Sequence, residues 1–237
     1  MYKIKFKVRF SDVCQRGLVK PINMVKFLQD CEMYHIDSLE VFNQYLQQNK
    51  VGIFLTFRQI DFHKPLKFKD EIKVITSPYE TKSFLGYRNT VIYDEFDQIV
   101  TTSYSLGNFV TMQDAKPHRI PVDIIKAVGI SDRVEMDYTD RKVIKDESFV
   151  RVKSFKQMVL RADIDLYDHV NNTRYVDFVH NFLPDEFEFN RIRAEYKYPL
   201  KLGDMAYINL YYKDNMYLGE IFNQDQQLCA MIEFSTK

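Results

Sequence analysis

A chain of 237 residues, 46% of them hydrophobic, is long enough to bury a core of its own as one large domain or two small ones. Its 33 basic and 33 acidic side chains cancel, so no global charge draws it to nucleic acid or an anionic membrane, and an electrostatic partner has to be held by a local patch. Cys14, Cys31 and Cys229 are odd in number and far apart, which speaks against a disulfide framework and a zinc site and suits a reducing cytoplasm.

The N-terminal segment has no continuous apolar run, and no later stretch approaches the length of a membrane span, so a soluble, unprocessed chain is expected. Tyr2, Ile4, Phe6, Val8 and Phe10 alternate with Lys3, Lys5, Lys7 and Arg9, the period of a strand with one buried face. Pro21 suits a helical first turn, and Ile22, Val25, Leu28, Ile36, Leu39 and Phe42 follow at helical spacing with some drift, predicting one helix of five or six turns. Strand-like runs come next around Phe54 to Phe62, Glu71 to Tyr79, Leu85 to Tyr93 and Ile99 to Val110. A charged stretch with two prolines and a short helix-like run at Val122 to Val128 reads as a linker over 117–148, between a first domain at 1–116 and a second at 149–237.

The second half repeats the order. Phe149 to Leu160 has strand character, and Tyr175, Phe178, Val179 and Phe182 mark a helical stripe. Asp61 to Asp70 lies over Glu195 to Asp204 without a gap, at an offset of 199 − 65 = 134, and Phe84-Leu-Gly86 answers Tyr217-Leu-Gly219. Duplication and fusion of one unit, a helix wrapped by an antiparallel sheet, predicts an α+β double hotdog. A β-sandwich with added helices fits less well, because the most periodic helix follows the first strand in each half.

If the halves are copies, chemistry belongs where only one carries reactive groups. Between first strand and helix, the first half runs Phe10-Ser-Asp-Val-Cys-Gln-Arg-Gly-Leu-Val-Lys-Pro21 and the second Ala162-Asp-Ile-Asp-Leu-Tyr-Asp-His-Val-Asn-Asn172. Asp12 is set against Asp165 as its match, while His169 and two asparagines have no counterpart. The second half is therefore expected to be the catalytic one.

Arg161 to Tyr175, with its Asp-x-Asp and its His-Val-Asn-Asn, closely resembles the active-site motif of the acyl-ACP thioesterases of plant plastids and bacteria. Leu18 to His35, Phe57 to Val74, and Phe109 to Gln113 with Ile120-Pro121 resemble successive parts of that family's first domain. The resemblance implies a double hotdog whose N-terminal half shapes the acyl pocket and whose C-terminal half cleaves the thioester. It implies acyl-carrier protein as the substrate's carrier, with no metal or organic cofactor. Oligomeric state stays open. Tyr167 stands where the plant enzymes place an asparagine, and Pro199-Leu200 where they place an acidic residue and a cysteine. The plant catalytic set does not carry over whole.

Thioester hydrolysis needs an activated water or carboxylate and donors that meet the developing oxyanion. Asp165 is the candidate carboxylate, and His169 the candidate to orient water or protonate the thiolate. The backbone N–H groups of His169 to Asn172 open a helix, where such groups are unpaired and the dipole is positive. Asn171 or Asn172 is expected to cap that helix, and Tyr167, Asn171 and Asn172 are the expected substrate-binding residues. Lys153, Lys156, Arg161, Arg174, Arg191, Arg193, Lys197 and Lys201 gather around the motif as a docking surface for an acidic carrier. Met24, Phe27, Met33 and Phe54 are candidates for the acyl pocket. An acyl-CoA thioesterase would share the chemistry, and an acyl-thioester-binding protein without turnover would share the fold.

Overall fold

The computed structural model describes residues 1–237 and divides them into two compact units. One holds Met1–Thr56 and Ile60–Tyr138, the other Phe57–Gln59 and Thr139–Lys237. In the first half β1 (Tyr2–Lys7), α1 (Pro21–Asp37) and α2 (Glu40–Gln48) precede β2 (Val51–Phe62), β3 (Glu71–Lys82), β4 (Leu85–Tyr93), β5 (Ile99–Thr111) and α3 (Val122–Val128). In the second, β6 (Val150–Met158) and α4 (Asn172–His180) precede β7 (Arg191–Tyr196), β8 (Met205–Lys213), β9 (Met216–Phe222) and β10 (Leu228–Ser235). The strand orders, β1-β3-β4-β5-β2 and β6-β8-β9-β10-β7, are the same path traced twice. This is the double hotdog expected from the repeat.

Side-chain alternation accounts for the sheets. Along β8, Ala206, Ile208 and Leu210 are buried, and they share a face with Ile221 and Gly219 of β9. That face receives α4, and it approaches closely at Gly219, where a Cβ would lie 2.6 Å from a methyl carbon of Val179. In the first half Phe27 of α1 meets Phe6 of β1 at 5.3 Å, and Leu28 and Cys31 are fully buried.

The predicted long helix is two. α1 stops at Asp37, just under five turns. Leu39 leaves the helical region at φ −95°, ψ 77°, and Asn43 Nδ2 donates to the last carbonyls of α1, those of Ile36 (2.7 Å) and Asp37 (3.0 Å). The drift in the apolar spacing marks this break. Beyond it Phe42 and Leu46 turn to a separate cluster with Val51, Phe109 and Ile120, against which Ile124 and Ile125 of α3 pack.

The stretch between the halves lies on the sheet faces that carry no helix. In the first unit, Val134 N–H and Tyr138 Oη both donate to Asn89 Oδ1, at 3.1 and 3.0 Å. In the second, Val143 N–H donates to Glu195 Oε2 (3.1 Å) and Lys145 Nζ to Glu220 (2.8 Å). No helix is long and apolar enough to cross a membrane.

Candidate active site

The loop between first strand and helix folds the same way in both halves, bond for bond. Cys14 N–H donates to Leu18 O (2.8 Å) as Asp165 N–H does to His169 O (2.9 Å). Gly17 N–H meets Cys14 O (2.8 Å), and Asp168 N–H meets Asp165 O (3.1 Å). Each is a tight hairpin that closes with a residue in the left-handed region, Gly17 at φ 73° and Asp168 at φ 60°. Val19 N–H reaches Leu66 O (2.9 Å) where Val170 N–H reaches Leu200 O (2.8 Å), and Lys20 N–H reaches Asp12 O (3.0 Å) where Asn171 N–H reaches Asp163 O (2.8 Å).

These bonds fix the register at 163 − 12 = 151 and correct the pairing of Asp12 with Asp165. Asp12 matches Asp163. Both end a short 3₁₀ turn, both are 2% exposed, and both accept the backbone N–H three residues before, Arg9 at 2.8 Å and Leu160 at 2.9 Å. Burial pushes the Asp12 carboxyl up, but the side-chain and backbone bonds from Arg9 outweigh it and hold the pKa below the usual value. Asp163 has Arg174 Nε at 2.7 Å instead. The turn-closing aspartates are therefore this pair, and Asp165 has the place of Cys14. Burial raises the Cys14 thiol as well, yet bonds from Arg16 and Leu18 leave it lowered overall.

Asp165 and His169 face each other across the base of the hairpin, at cross-strand neighbour distance of about 5.5 Å between Cα atoms. Both are partly exposed. Asp165 Oδ1 accepts the Tyr167 N–H at 2.9 Å. Tyr167 stands at the tip, 60% exposed beside a fully exposed Leu166. Asn171 is the N-cap of α4, its Oδ1 accepting from Thr173 N–H (3.0 Å) and Oγ1 (2.8 Å), so its side-chain oxygen is already occupied. Asn172 offers its carbonyl to Tyr196 Oη at 3.0 Å. Of the four N–H groups expected as donors, those of Val170 and Asn171 are bound to carbonyls. The N–H groups of His169 and Asn172 have no such partner.

Pro199-Leu200 serves the fold. Leu200 is fully buried, takes the Val170 N–H on its carbonyl and donates its own N–H to Tyr175 Oη at 2.8 Å, and burial pushes that phenol well above the usual range. Leu66 is buried at the matching place. Tyr175, Tyr196 and Leu200 hold the loop from beneath, and only the repeated Pro-Leu hinted at this in the sequence.

Half of the expected docking surface is committed to the structure. Arg174 bridges Asp163 and Asp177 (2.5 Å), and Arg193 binds Glu233 (3.0 Å) and the carbonyls of Asp140 and Lys142. Arg191 is buried and Lys197 pairs with Glu195 at 2.6 Å. Lys153, Lys156, Arg161 and Lys201 remain exposed. Met24 and Phe27 are buried on α1, whereas Met33 is exposed. A cavity of about 360 Å³ in the second unit is lined by Thr139, Lys142, Asp146, Arg193 and Lys213, at the end of β8 opposite the hairpin.

Two copies of one helix-and-sheet unit, with Asp165 and His169 on the second copy's hairpin, define a double hotdog. The chain belongs to the acyl-ACP thioesterase family: residues 1–128 match the model for the acyl-ACP thioesterase N-terminal domain and 147–227 that for the C-terminal domain. Its activity is the family's, hydrolysis of acyl-ACP thioesters. Among solved structures it is similar to an acyl-ACP thioesterase from Bacteroides thetaiotaomicron (TM-score 0.86, 15% identity, covering 98% of this chain and 96% of that one). It is also similar to the 12:0-ACP thioesterase from Umbellularia californica (0.86, 13%, 99% and 96%). At these identities the likeness is one of fold. No curated protein sequence matches.

Proposed function

We propose that the C-terminal half performs this hydrolysis with Asp165 and His169, releasing a free fatty acid and holo-ACP in a reducing cytoplasm that suits three unpaired cysteines. One observation carries the assignment: on two hairpins built from the same bonds, Cys14 and Leu18 are replaced by Asp165 and His169. Asp165, anchored by the Tyr167 N–H, positions or activates water. His169 orients that water or protonates the departing thiolate, as an imidazole near neutral pH is able to do. The N–H groups of His169 and Asn172 are the donors left for the oxyanion, each worth roughly a hundred- to a thousand-fold in rate when well placed. Tyr167, at the exposed tip, meets the pantetheine arm, and Asn171 acts through the helix it caps. Met24 and Phe27, buried on α1, line the acyl chain's side of the N-terminal half. Arg161 and Lys201 receive the acidic carrier.

Thiol release from acyl-ACP and acyl-CoA, followed in parallel, tests this. His169→Ala should lower kcat roughly a hundred- to ten-thousand-fold, and Asp165→Asn should abolish turnover, both with the thermal midpoint retained. Near-normal turnover in either folded variant removes that residue from the mechanism. Arg161→Glu with Lys201→Glu should lower kcat/KM for acyl-ACP and leave a short acyl-pantetheine unaffected; equal effects on both would end the docking role.

A further inference from the structure

A second asymmetry between the copies lies on the first half. Phe10, on the turn after β1, is 80% exposed, and Phe68, on the turn between β2 and β3, is 43% exposed. Their rings meet edge to face at 5.9 Å. The two turns are held together by Val8 N–H to Asp70 O (2.9 Å) and Lys69 N–H to Val8 O (3.1 Å). The second half has the same backbone bonds, Val159 N–H to Asp204 O (2.9 Å) and Gly203 N–H to Val159 O (3.2 Å), but carries Arg161 and Leu202 where the rings would be. The aromatic pair is therefore no requirement of the turn.

Its surroundings are basic. Arg16, Lys67 and Lys69 are exposed, Lys69 Nζ lies 5.4 Å from the centre of the Phe68 ring, and Lys20 Nζ reaches Ser11 O nearby at 3.3 Å. Lys69 holds φ 77° at the place where the second half has Gly203 at φ 86°, so a charged side chain occupies a backbone conformation that favours glycine. Of the local carboxylates, Asp12 is buried against Arg9, Asp70 is half-buried and accepts the Lys67 N–H at 2.8 Å, and Glu71 pairs with Lys7 at the surface. The exposed charge around the two rings is mostly basic.

We propose that this patch docks the protein on an anionic lipid bilayer, the rings entering the headgroup boundary and the lysines meeting lipid phosphates. Both rings stand on turns and project into solvent, and a fluid interface accepts projecting rings where a folded partner would have to supply a fitted pocket. The proposal is independent of the roles of Asp165 and His169. Each basic group near such a surface strengthens partition by roughly fivefold and each inserted ring by about tenfold.

The test is co-sedimentation of the full chain with phosphatidylcholine vesicles, with and without phosphatidylglycerol, at low and high salt. Wild type should partition at least about tenfold better onto the anionic vesicles, and high salt should weaken it. Phe10→Ser with Phe68→Ser, and separately Lys67→Gln with Lys69→Asn, should each lower partition about tenfold or more. Thermal midpoint and turnover of a short soluble thioester should stay as in wild type. Equal partition onto both vesicle types, no partition at all, or variants that sediment like wild type overturns the proposal. If vesicles are ignored and the same variants lose binding to immobilised acyl-carrier protein, the patch belongs to an acidic protein and the bilayer reading fails.

Discussion

Two positions separate Asp163 from Asp165, and burial divides their roles. Asp163, 2% exposed, accepts the Leu160 N–H and the Arg174 guanidinium, so removing it leaves a part-buried backbone donor unpaired and Arg174 with Asp177 as its one carboxylate. Asp165 is partly exposed, and only one backbone N–H depends on it. Asp163→Ala should therefore lower stability by about 1 to 3 kcal/mol in chemical denaturation, Asp12→Ala by less because its partner Arg9 is exposed, while Asp165→Ala should cost little stability. If Asp163→Ala unfolds at the wild-type denaturant concentration, the ion pair with Arg174 is not holding the loop. Arg174 and Arg193 illustrate the same division: their charge was plain in the sequence, and their engagement with Asp163, Asp177 and Glu233 was not.

At the scale of elements, the nine residues of α4 are little more than half of α1, so each contact it makes matters more. Val179 is fully buried over Gly219 of β9, where no side chain intervenes. Gly219→Ala would force the helix from the sheet or Val179 from its rotamer, at about 1 to 3 kcal/mol. A drop in thermal midpoint, rescued in part by Val179→Ala, is the expected result; an unchanged midpoint would mean that α4 shifts freely. Through Asn171 and Thr173 this packing also sets where the hairpin meets the helix.

For the molecule as a whole, the first unit carries a buried polar cluster with a consequence in acid. His35, 4% exposed, accepts from Arg88 on Nδ1 at 2.8 Å and stacks on Tyr2. Burial, with Arg88 beside it, lowers its pKa to about 4. An unfolded histidine titrates near 6.5, so between these values the unfolded chain takes up a proton that the native one does not. Stability is fully present above about pH 6.5 and declines as pH falls towards 4, by about 2 to 3 kcal/mol from this group. His180, lowered by burial, acts in the same direction. Denaturation midpoints between pH 7 and 4.5 should show this fall, and a shallower one in His35→Gln; equal slopes would remove His35 as its source.

By itself the sequence determined the duplicated architecture, because strand and helix periods and a gapless ten-residue match follow from what each segment must bury. It also showed that a histidine beside two asparagines stands in one half with no counterpart in the other copy. Only the tertiary structure decided the register of the loop. The sequence offers three aspartates in the motif, Asp163, Asp165 and Asp168, and which one closes the turn depends on hydrogen bonds to Leu160, Asn171 and Arg174, the last two set by the fold. The break in the first helix was decided in the same way, by Asn43 reaching back to the carbonyls of Ile36 and Asp37 at the end of α1. Periodicity records burial, which is averaged along an element. Bond partners are set one pair at a time, by distances that exist only once the chain has folded.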